Sequence, residues 1–128
     1  KTTGALVVTG GVGISGALNV GGDITAFASS DESLKENLVA IPNAIAKVGI
    51  LTGYTFNWKA PKYNDTDHLT VAGESDTGVI AQQVAALGLP GITTTREDGT
   101  MAVRYERLVP LLIEAIKELD ARVKTLEG

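Results

Sequence analysis

The sequence has no cysteine, and this absence excludes three kinds of chemistry. Disulfide bonds, cysteine-ligated structural zinc and thiol nucleophiles all require a residue that the chain does not have. Its single histidine, His68, cannot form a metal site with several histidine ligands. We therefore predict no metal site, and we expect His68 to be an ordinary residue of a solvated loop.

Long apolar runs and an excess of positive charge are also absent. No apolar run approaches the roughly 20 residues of a transmembrane helix, and glycines interrupt the apolar N-terminal stretch, so we expect neither a membrane span nor a signal peptide. The net charge of −4 at pH 7 argues against a basic surface for nucleic acid. Residues 10–13 are glycine-rich, but no Lys-Ser or Lys-Thr follows them, so we expect no nucleotide and no other cofactor.

What is present is enough for one ordinary folded domain. The chain has 128 residues, of which 44% are hydrophobic and 20% are charged, a composition typical of a folded protein rather than a disordered one. It begins with Lys1 rather than methionine, so we expect it to be a piece of a longer protein. Composition and periodicity divide it into three zones.

The first zone, residues 1–29, is glycine-rich and has only two charged residues, Lys1 and Asp23. Residues 4–8 (Gly-Ala-Leu-Val-Val) recur twelve positions later as residues 16–20 (Gly-Ala-Leu-Asn-Val), and a Gly-Gly pair follows each copy. Short apolar runs separated by glycine indicate a small repeating β unit, which is too thin to bury its side chains within one chain. We therefore predict a β-stem, either β-helical or a β-prism, that is ordered only in a trimer. A flexible glycine-rich linker is the alternative.

The second zone, residues 30–104, has the mixed pattern of a compact α+β region. Tyr54, Phe56 and Trp58 lie two residues apart, which places three aromatic side chains on one face of a strand. Glycine, proline and an Asp-Gly turn signal separate the other elements. We predict, in order, a short helix capped by residues 30–33, a helix over 42–48 that starts at Pro42, a strand over 52–58, a loop over 59–76, a helix over 79–87, and a hairpin of residues 92–95 with 100–105.

The third zone is a long C-terminal helix over residues 105–127. Apolar side chains recur along it at spacings of four and three, a heptad pattern flanked by charged residues. These apolar residues are Leu112, Ile116, Leu119, Val123 and Leu126. The stripe covers about two heptads, too short for a stable isolated coiled coil. We favour a seam between the chains of a trimeric, coiled-coil-like bundle, and the alternative is a helix that packs only on its own domain.

One pair of residues in the second zone can carry chemistry. Ser30 precedes Lys35 by five residues, and a Ser–Lys pair can perform acyl transfer without histidine. The lysine must be uncharged to accept the serine proton, and burial favours the uncharged form. Spacing alone is weak support, because both residue types are common. The alternative is a helix N-cap followed by an exposed lysine.

Four segments resemble the motifs of a known family. Residues 30–38 (Ser-Asp-Glu-Ser-Leu-Lys-Glu-Asn-Leu) resemble the opening signature of the intramolecular chaperone domain of phage tail spikes and tail fibres, the S74 peptidase family. Residues 53–59, 78–84 and 105–119 resemble, in the same order, its aromatic strand, its second core motif and its C-terminal helix. The family also includes part of animal membrane-tethered transcription factors, but the stem composition here favours a phage protein.

The resemblance implies a self-cleaving serine endopeptidase that acts once, on its own chain. Residues 1–29 would be the end of a fibre stem, and residues 30–128 the chaperone that trimerises, aligns the stem chains and then releases itself. The scissile bond would be Ser29–Ser30, with Ser30 as the nucleophile and Lys35 as the base. Such a precursor would belong to the virion tail and be assembled in the cytoplasm of the bacterial host.

Three other residues of the signature bear on this expectation. Asp31 and Asn37 belong to it as supporting residues, and we expect a structural role for Asp31. Ser33 stands where the family often has arginine, which bears on the efficiency of cleavage rather than on the fold.

Other functions fit parts of the sequence. A structural trimerisation cap that never cleaves would keep every motif except a working Ser–Lys pair. A receptor-binding tip would use the loop over residues 59–76, where Tyr63 is the only aromatic residue. A diffusible serine hydrolase is disfavoured, because the sequence has no Gly-x-Ser-x-Gly motif.

Overall fold

The computed structural model describes residues 4–59 and 72–128. The chain divides into two compact units, one of Lys1–Ser29 with Asn57–Glu74 and the other of Ser30–Phe56 with Ser75–Gly128. His68, Tyr63 and most of the loop predicted over residues 59–76 lie outside the described residues. Within the described ranges, no helix is both long enough and apolar enough to cross a membrane.

The fold is α+β, with two small sheets and a long C-terminal helix, as the sequence indicates. β1 pairs with β2 in one two-stranded sheet, and β3 pairs with β4 in the other. The elements in chain order are a 3₁₀ helix at Glu32–Leu34, α1 at Ala44–Val48, β1 at Tyr54–Asn57, β2 at Ser75–Gly78, α2 at Ala81–Ala85, β3 at Thr93–Thr95, β4 at Met101–Val103, a second 3₁₀ helix at Tyr105–Leu108 and α3 at Val109–Glu127.

The hydrophobic core lies where α1 packs on α3. Ala44 of α1 and Leu111 of α3 are fully buried, and Leu87, which follows α2, joins them. Partly buried apolar side chains surround these three residues: Ile41, Val48, Leu51, Leu89, Leu108 and Ala115. The face of α3 that carries Leu111 and Ala115 therefore packs on its own domain, and neither of these two residues belongs to the heptad pattern.

A side chain of α3 also caps α1. The half-buried carboxylate of Glu118 accepts hydrogen bonds from the backbone N–H of Ala44 at 2.7 Å and of Ile45 at 3.0 Å. The bonds from Ile45 and Ala44 hold the pKa of Glu118 below its ordinary value of 4.5, and the positive charges of Arg122 and Lys47 lower it further. A charge-assisted contact thus joins elements that are far apart in sequence.

The hairpin prediction is confirmed. β3 and β4 pair antiparallel, with Thr93 opposite Val103 and Thr95 opposite Met101. Gly99 adopts a φ of 85° in the turn, a conformation that glycine reaches without strain. The Asp-Gly signal therefore indicated the turn correctly.

Two helix predictions are too long. The helix predicted over residues 42–48 begins at Ala44 rather than Pro42. Asn43 has a φ of 53°, which lies in the left-handed region that no α-helix can include. The helix predicted over residues 79–87 spans only Ala81–Ala85, because its N-cap, Ile80, is extended.

The predicted loop over residues 59–76 also ends differently. Ser75 and Asp76 belong to β2 rather than to the loop. Their composition is polar, so no periodicity marked them as a strand. Pairing with β1 decides their conformation instead.

Residues 4–29 form neither helix nor strand. All of them are exposed, including every large apolar side chain in the segment. Phe27, for example, is 95% exposed and Leu6 is 81% exposed. The β-stem and its trimer remain predictions for this segment.

Candidate functional site

The candidate site begins with a tight turn at the start of the 3₁₀ helix. Asp31 is the N-cap residue, and its Oδ1 accepts a hydrogen bond from the Ser33 backbone N–H at 2.9 Å. The same oxygen accepts the Ser33 hydroxyl at 2.6 Å. The backbone then closes on itself, with the Leu34 N–H bonded to the Asp31 carbonyl at 3.1 Å and the Lys35 N–H to the Glu32 carbonyl at 3.0 Å.

This turn brings the two predicted catalytic side chains together. The Nζ of Lys35 donates a hydrogen bond to the Oγ of Ser30 at 2.6 Å. Proton transfer between a nucleophile and its base requires a separation of about 2.6–3.2 Å. The two side chains therefore lie within hydrogen-bond reach of each other, and Ser30 is the first residue after the Ser29–Ser30 bond.

The electrostatics of the turn depend on Asp31. The hydrogen bond from the Ser33 hydroxyl, followed by the bond from the Ser33 N–H, holds the pKa of Asp31 below its ordinary value of 3.8. Hydrogen bonding to the charged form is the cause, because the carboxylate is exposed. Asp31 therefore stays ionised at neutral pH and remains an acceptor. This contact was not foreseen, although the Asp-x-Ser spacing is a known turn signal.

Both members of the Ser30–Lys35 pair are exposed in the single chain. So are the apolar residues that follow, with Leu34 71%, Leu38 68% and Val39 83% exposed. The burial that the sequence analysis required for an uncharged lysine is therefore not supplied by one chain.

Asn37, the other supporting residue, has a φ of 53° and lies at a bend two residues after Lys35. Asparagine tolerates this left-handed conformation better than most residues. Asn37 therefore fits the backbone conformation at this bend, and its part in the site stays a prediction.

The second core motif, residues 78–84, supports the sheet beside β1. A Cβ on Gly78 would lie 2.5 Å from the Oη of Tyr105, so any other residue there would require the Tyr105 side chain to shift. That Tyr105 hydroxyl accepts the Val79 N–H at 3.1 Å. The motif and the start of the C-terminal helix are therefore in direct contact, which explains why a glycine opens it.

Gln83 of the same motif ties α2 to the segment that leads into β1. Its Oε1 accepts the Thr52 N–H at 3.2 Å, and its Nε2 donates to the Tyr54 hydroxyl at 3.3 Å. Bonding to Gln83, then to Thr52, lowers the pKa of Tyr54. Gln83 is thus a structural residue, and its role could not be read from spacing.

The heptad residues of α3 lie on an uncovered face. Leu112, Leu119 and Val123 are 46%, 55% and 42% exposed. Ile116 is 66% exposed and Leu126 is 87% exposed. On the side nearer α1 this face opens into an apolar groove of about 310 Å³. The groove is lined by Ile45, Val48, Leu112, Ala115, Ile116 and Leu119.

The chain is similar to known proteins over most of its length. Residues 30–92 match the Peptidase S74 family model, described as chaperone of endosialidase. The long tail fiber protein Gp37 of Enterobacteria phage K3 is 34% identical over 106 residues, which cover 80% of this chain and 8% of that protein. The long tail fiber protein Gp37 of Enterobacteria phage T2 is also 34% identical over 106 residues, which cover 80% of this chain and 7% of that protein. The chain therefore spans only a small part of these curated relatives.

Proposed function

We propose that residues 30–128 are an intramolecular chaperone. The premise is that this chain belongs, through residues 30–92, to the Peptidase S74 family, described as chaperone of endosialidase. The chaperone trimerises, aligns the stem of a phage tail fibre or tail spike, and then releases itself by cleaving the Ser29–Ser30 bond. The contact of 2.6 Å between Lys35 Nζ and Ser30 Oγ is the observation that carries the cleavage step. The similarity to two phage tail fibre proteins supports the fibre.

The cleavage proceeds in two steps. The uncharged Lys35 amine takes the Ser30 hydroxyl proton while Ser30 Oγ bonds to the carbonyl carbon of Ser29. The Ser29–Ser30 C–N bond breaks, and the proton held by Lys35 passes to the leaving nitrogen, which becomes the free amine of Ser30. One water molecule then hydrolyses the resulting ester: its oxygen bonds to the carbonyl carbon of Ser29, the bond to Ser30 Oγ breaks, and one water proton restores the hydroxyl of Ser30. The other proton passes to the free amine of Ser30, which leaves a carboxylate on Ser29.

Trimerisation is what makes Lys35 a base. Burial favours the uncharged form of a lysine amine, which is the form that can accept a proton. Leu34, Leu38 and Val39, which lie close to the pair in sequence, are apolar and exposed. When neighbouring chains cover these residues, the pair loses water and becomes active. Cleavage therefore waits until the three chains are in place.

The trimer forms through the heptad face of α3. Five apolar residues at heptad spacing remain 42–87% exposed on a helix of 19 residues. Burying apolar surface is the main driving force for association, at roughly 25 cal/mol for each Å². The neighbouring face of α3 is already fixed to its own domain through Leu111. Each of the three chains would thus present its own part of the seam already formed.

A domain that holds three chains together would help the stem, residues 1–29, to become ordered. Residues 4–29 expose nine large apolar side chains and have no core of their own, so their order must come from other chains. Pairing between chains has a high closure cost and nucleates slowly. A compact domain that trimerises first raises the effective concentration of the three stems. Its release afterwards leaves the fibre kinetically trapped.

Intact-mass spectrometry tests the cleavage. The purified chain should yield a fragment that begins at Ser30, while Ser30→Ala and Lys35→Ala should remain whole. Size-exclusion chromatography with light scattering identifies the trimer in each sample. A parent chain that remains whole as a trimer after prolonged incubation would exclude self-cleavage.

A trimerisation cap that never cleaves is the second candidate. Two observations favour it: Ser33 replaces the arginine common in the family, and the pair is exposed in the single chain. Such a cap would keep the α3 seam and the stem but leave no Ser30 fragment. The mass measurement on the confirmed trimer separates the two candidates.

A further inference from the structure

We propose that Asp31 and Ser33 together form a positioning device for the Ser30–Lys35 pair, an inference that rests on the proposed cleavage. Neither residue touches the reacting atoms. Their hydrogen bonds fix the turn that returns Lys35 toward Ser30. Ser33, which departs from the common family residue, thereby takes part in cleavage instead of weakening it.

The turn between Ser30 and Lys35 determines whether their side chains can meet. Ser30 and Lys35 are five residues apart, and in an extended chain they would be separated by about 16 Å, at roughly 3.3 Å for each residue. Their side chains meet at 2.6 Å because a single 3₁₀ turn lies between them. That turn has only three residues and two backbone hydrogen bonds. So short a helix is weak by itself.

One carboxylate oxygen of Asp31 stabilises this short 3₁₀ turn. Asp31 Oδ1 accepts both the N–H and the hydroxyl of Ser33, at 2.9 and 2.6 Å. Hydrogen bonds to an ionised acceptor are roughly twice as strong as neutral ones. No core residue holds this turn, since residues 31–40 are all exposed. The two bonds to Asp31 are therefore the local contacts that resist its opening.

The residue at position 33 matters for the same reason. An arginine there would keep its backbone N–H but could not supply a hydroxyl to Asp31. The serine in this chain doubles the number of bonds between the two residues. We therefore expect Ser33 to support the geometry of the pair without arginine.

Cleavage kinetics of the full chain test this inference. Asp31→Ala removes both bonds, and we expect it to slow appearance of the Ser30 fragment by on the order of 100-fold, the effect of misplacing a catalytic group by about 1 Å. Asp31→Asn keeps an oxygen acceptor, so it should recover most of the rate and keep the pH dependence of the parent. Ser33→Ala loses one bond and should slow cleavage roughly tenfold, and Ser33→Thr should restore it.

The chain contains a matched control in the turn between β3 and β4. There Asp98 Oδ1 accepts the Thr100 N–H at 2.8 Å and its hydroxyl at 2.6 Å, the same arrangement remote in sequence from the cleavage site. Asp98→Ala should leave the rate at the parental value. Parental cleavage in Asp31→Ala would overturn the inference, as would equal loss in Asp31→Ala and Asp98→Ala. An Asp31→Asn chain as slow as Asp31→Ala would overturn it too, because charge rather than turn geometry would then matter.

A second measurement works even on a chain that does not cleave. A short pulse of an amine-acylating reagent, followed by peptide mapping, measures how free the Lys35 amine is, and Ser30→Ala gives the level without its partner. We expect labelling of Lys35 to rise toward that level in Asp31→Ala but not in Asp98→Ala. Unchanged labelling in Asp31→Ala overturns the positioning role. If the parent chain never cleaves but labelling of Lys35 still rises in Asp31→Ala, self-cleavage is rejected and the positioning role of Asp31 stands.

Discussion

Residues 4–29 and residues 75–128 are both rich in apolar side chains, yet only one of the two segments contributes to a core. In the first, every large apolar residue is exposed and no helix or strand forms. In the second, Leu87 and Leu111 are buried against Ala44. The difference lies in periodicity. An apolar stripe at helical spacing can be buried by a single chain, whereas a thin β repeat cannot.

The largest expected effect comes from the core. Leu111→Ala leaves a cavity at a fully buried position, so we expect a loss of about 2–5 kcal/mol in the free energy of unfolding. Chemical denaturation monitored by circular dichroism measures it. Leu112→Ala is the neighbouring control: its side chain is 46% exposed, so it should weaken the proposed trimer more than the fold. If Leu112→Ala destabilised the fold as much as Leu111→Ala, the division of α3 into two faces would be wrong.

The next effect concerns the contact between the second core motif and the C-terminal helix. Gly78→Ala would place a Cβ 2.5 Å from the Tyr105 hydroxyl, and relieving that overlap should cost about 1–3 kcal/mol. Gly53→Ala, where nothing lies within 4 Å, should change the unfolding free energy little. Thermal unfolding of the two variants gives the comparison. Equal unfolding midpoints would show that Tyr105 moves aside without loss.

A smaller, pH-dependent effect comes from Glu118. Its pKa is lowered in the folded chain from the ordinary 4.5, so its contribution to stability is present above pH 4.5 and is lost as pH falls through the folded value. We expect the melting temperature of the parent to fall in that acidic range more steeply than that of Glu118→Gln. Glu114→Gln, which removes an i,i+3 contact with Lys117, is the control. If the melting temperature fell with pH equally in the parent and in Glu118→Gln, the Glu118 carboxylate would not stabilise the start of α1.

The smallest effect is expected from the stem. Removing residues 1–29 deletes no member of the core, so the melting temperature of the remaining chain should stay within a few degrees of the parent. A large drop would mean that the two segments differ less than the burial pattern indicates. Differential scanning calorimetry of the two chains at equal concentration makes the measurement.

Local chemistry was the most predictable part of the molecule. Asp98 and Gly99 marked a hairpin turn, which is confirmed, and the spacing of apolar residues marked the C-terminal helix. The family resemblance is confirmed over residues 30–92, which include three of the four ordered motifs. Each of these signals lies within one short segment, so a single sequence is enough to reveal it.

Contacts between distant segments were not predictable. Ser75 and Asp76 fall within the predicted loop over residues 59–76 but lie in β2, because pairing with β1 rather than composition decides the conformation of this polar segment. Glu118 looked like a surface charge of the heptad helix, and nothing near it in sequence marks Ala44 as its partner. Of the candidate site, the sequence indicated Ser30 and Lys35 but not the Asp31–Ser33 contact between them. The catalytic roles of Ser30 and Lys35 and the trimer seam remain predictions.

The contact between Ser30 and Lys35 spans only six consecutive residues. Most nucleophile and base pairs are brought together by distant parts of a fold, so they are inherited only with the whole fold. Here the two groups and the turn between them occupy eighteen nucleotides of coding sequence. A change within this one short segment can therefore remove both groups, and under the proposed cleavage a fibre gene that acquires residues 30–128 would acquire its cleavage site with them.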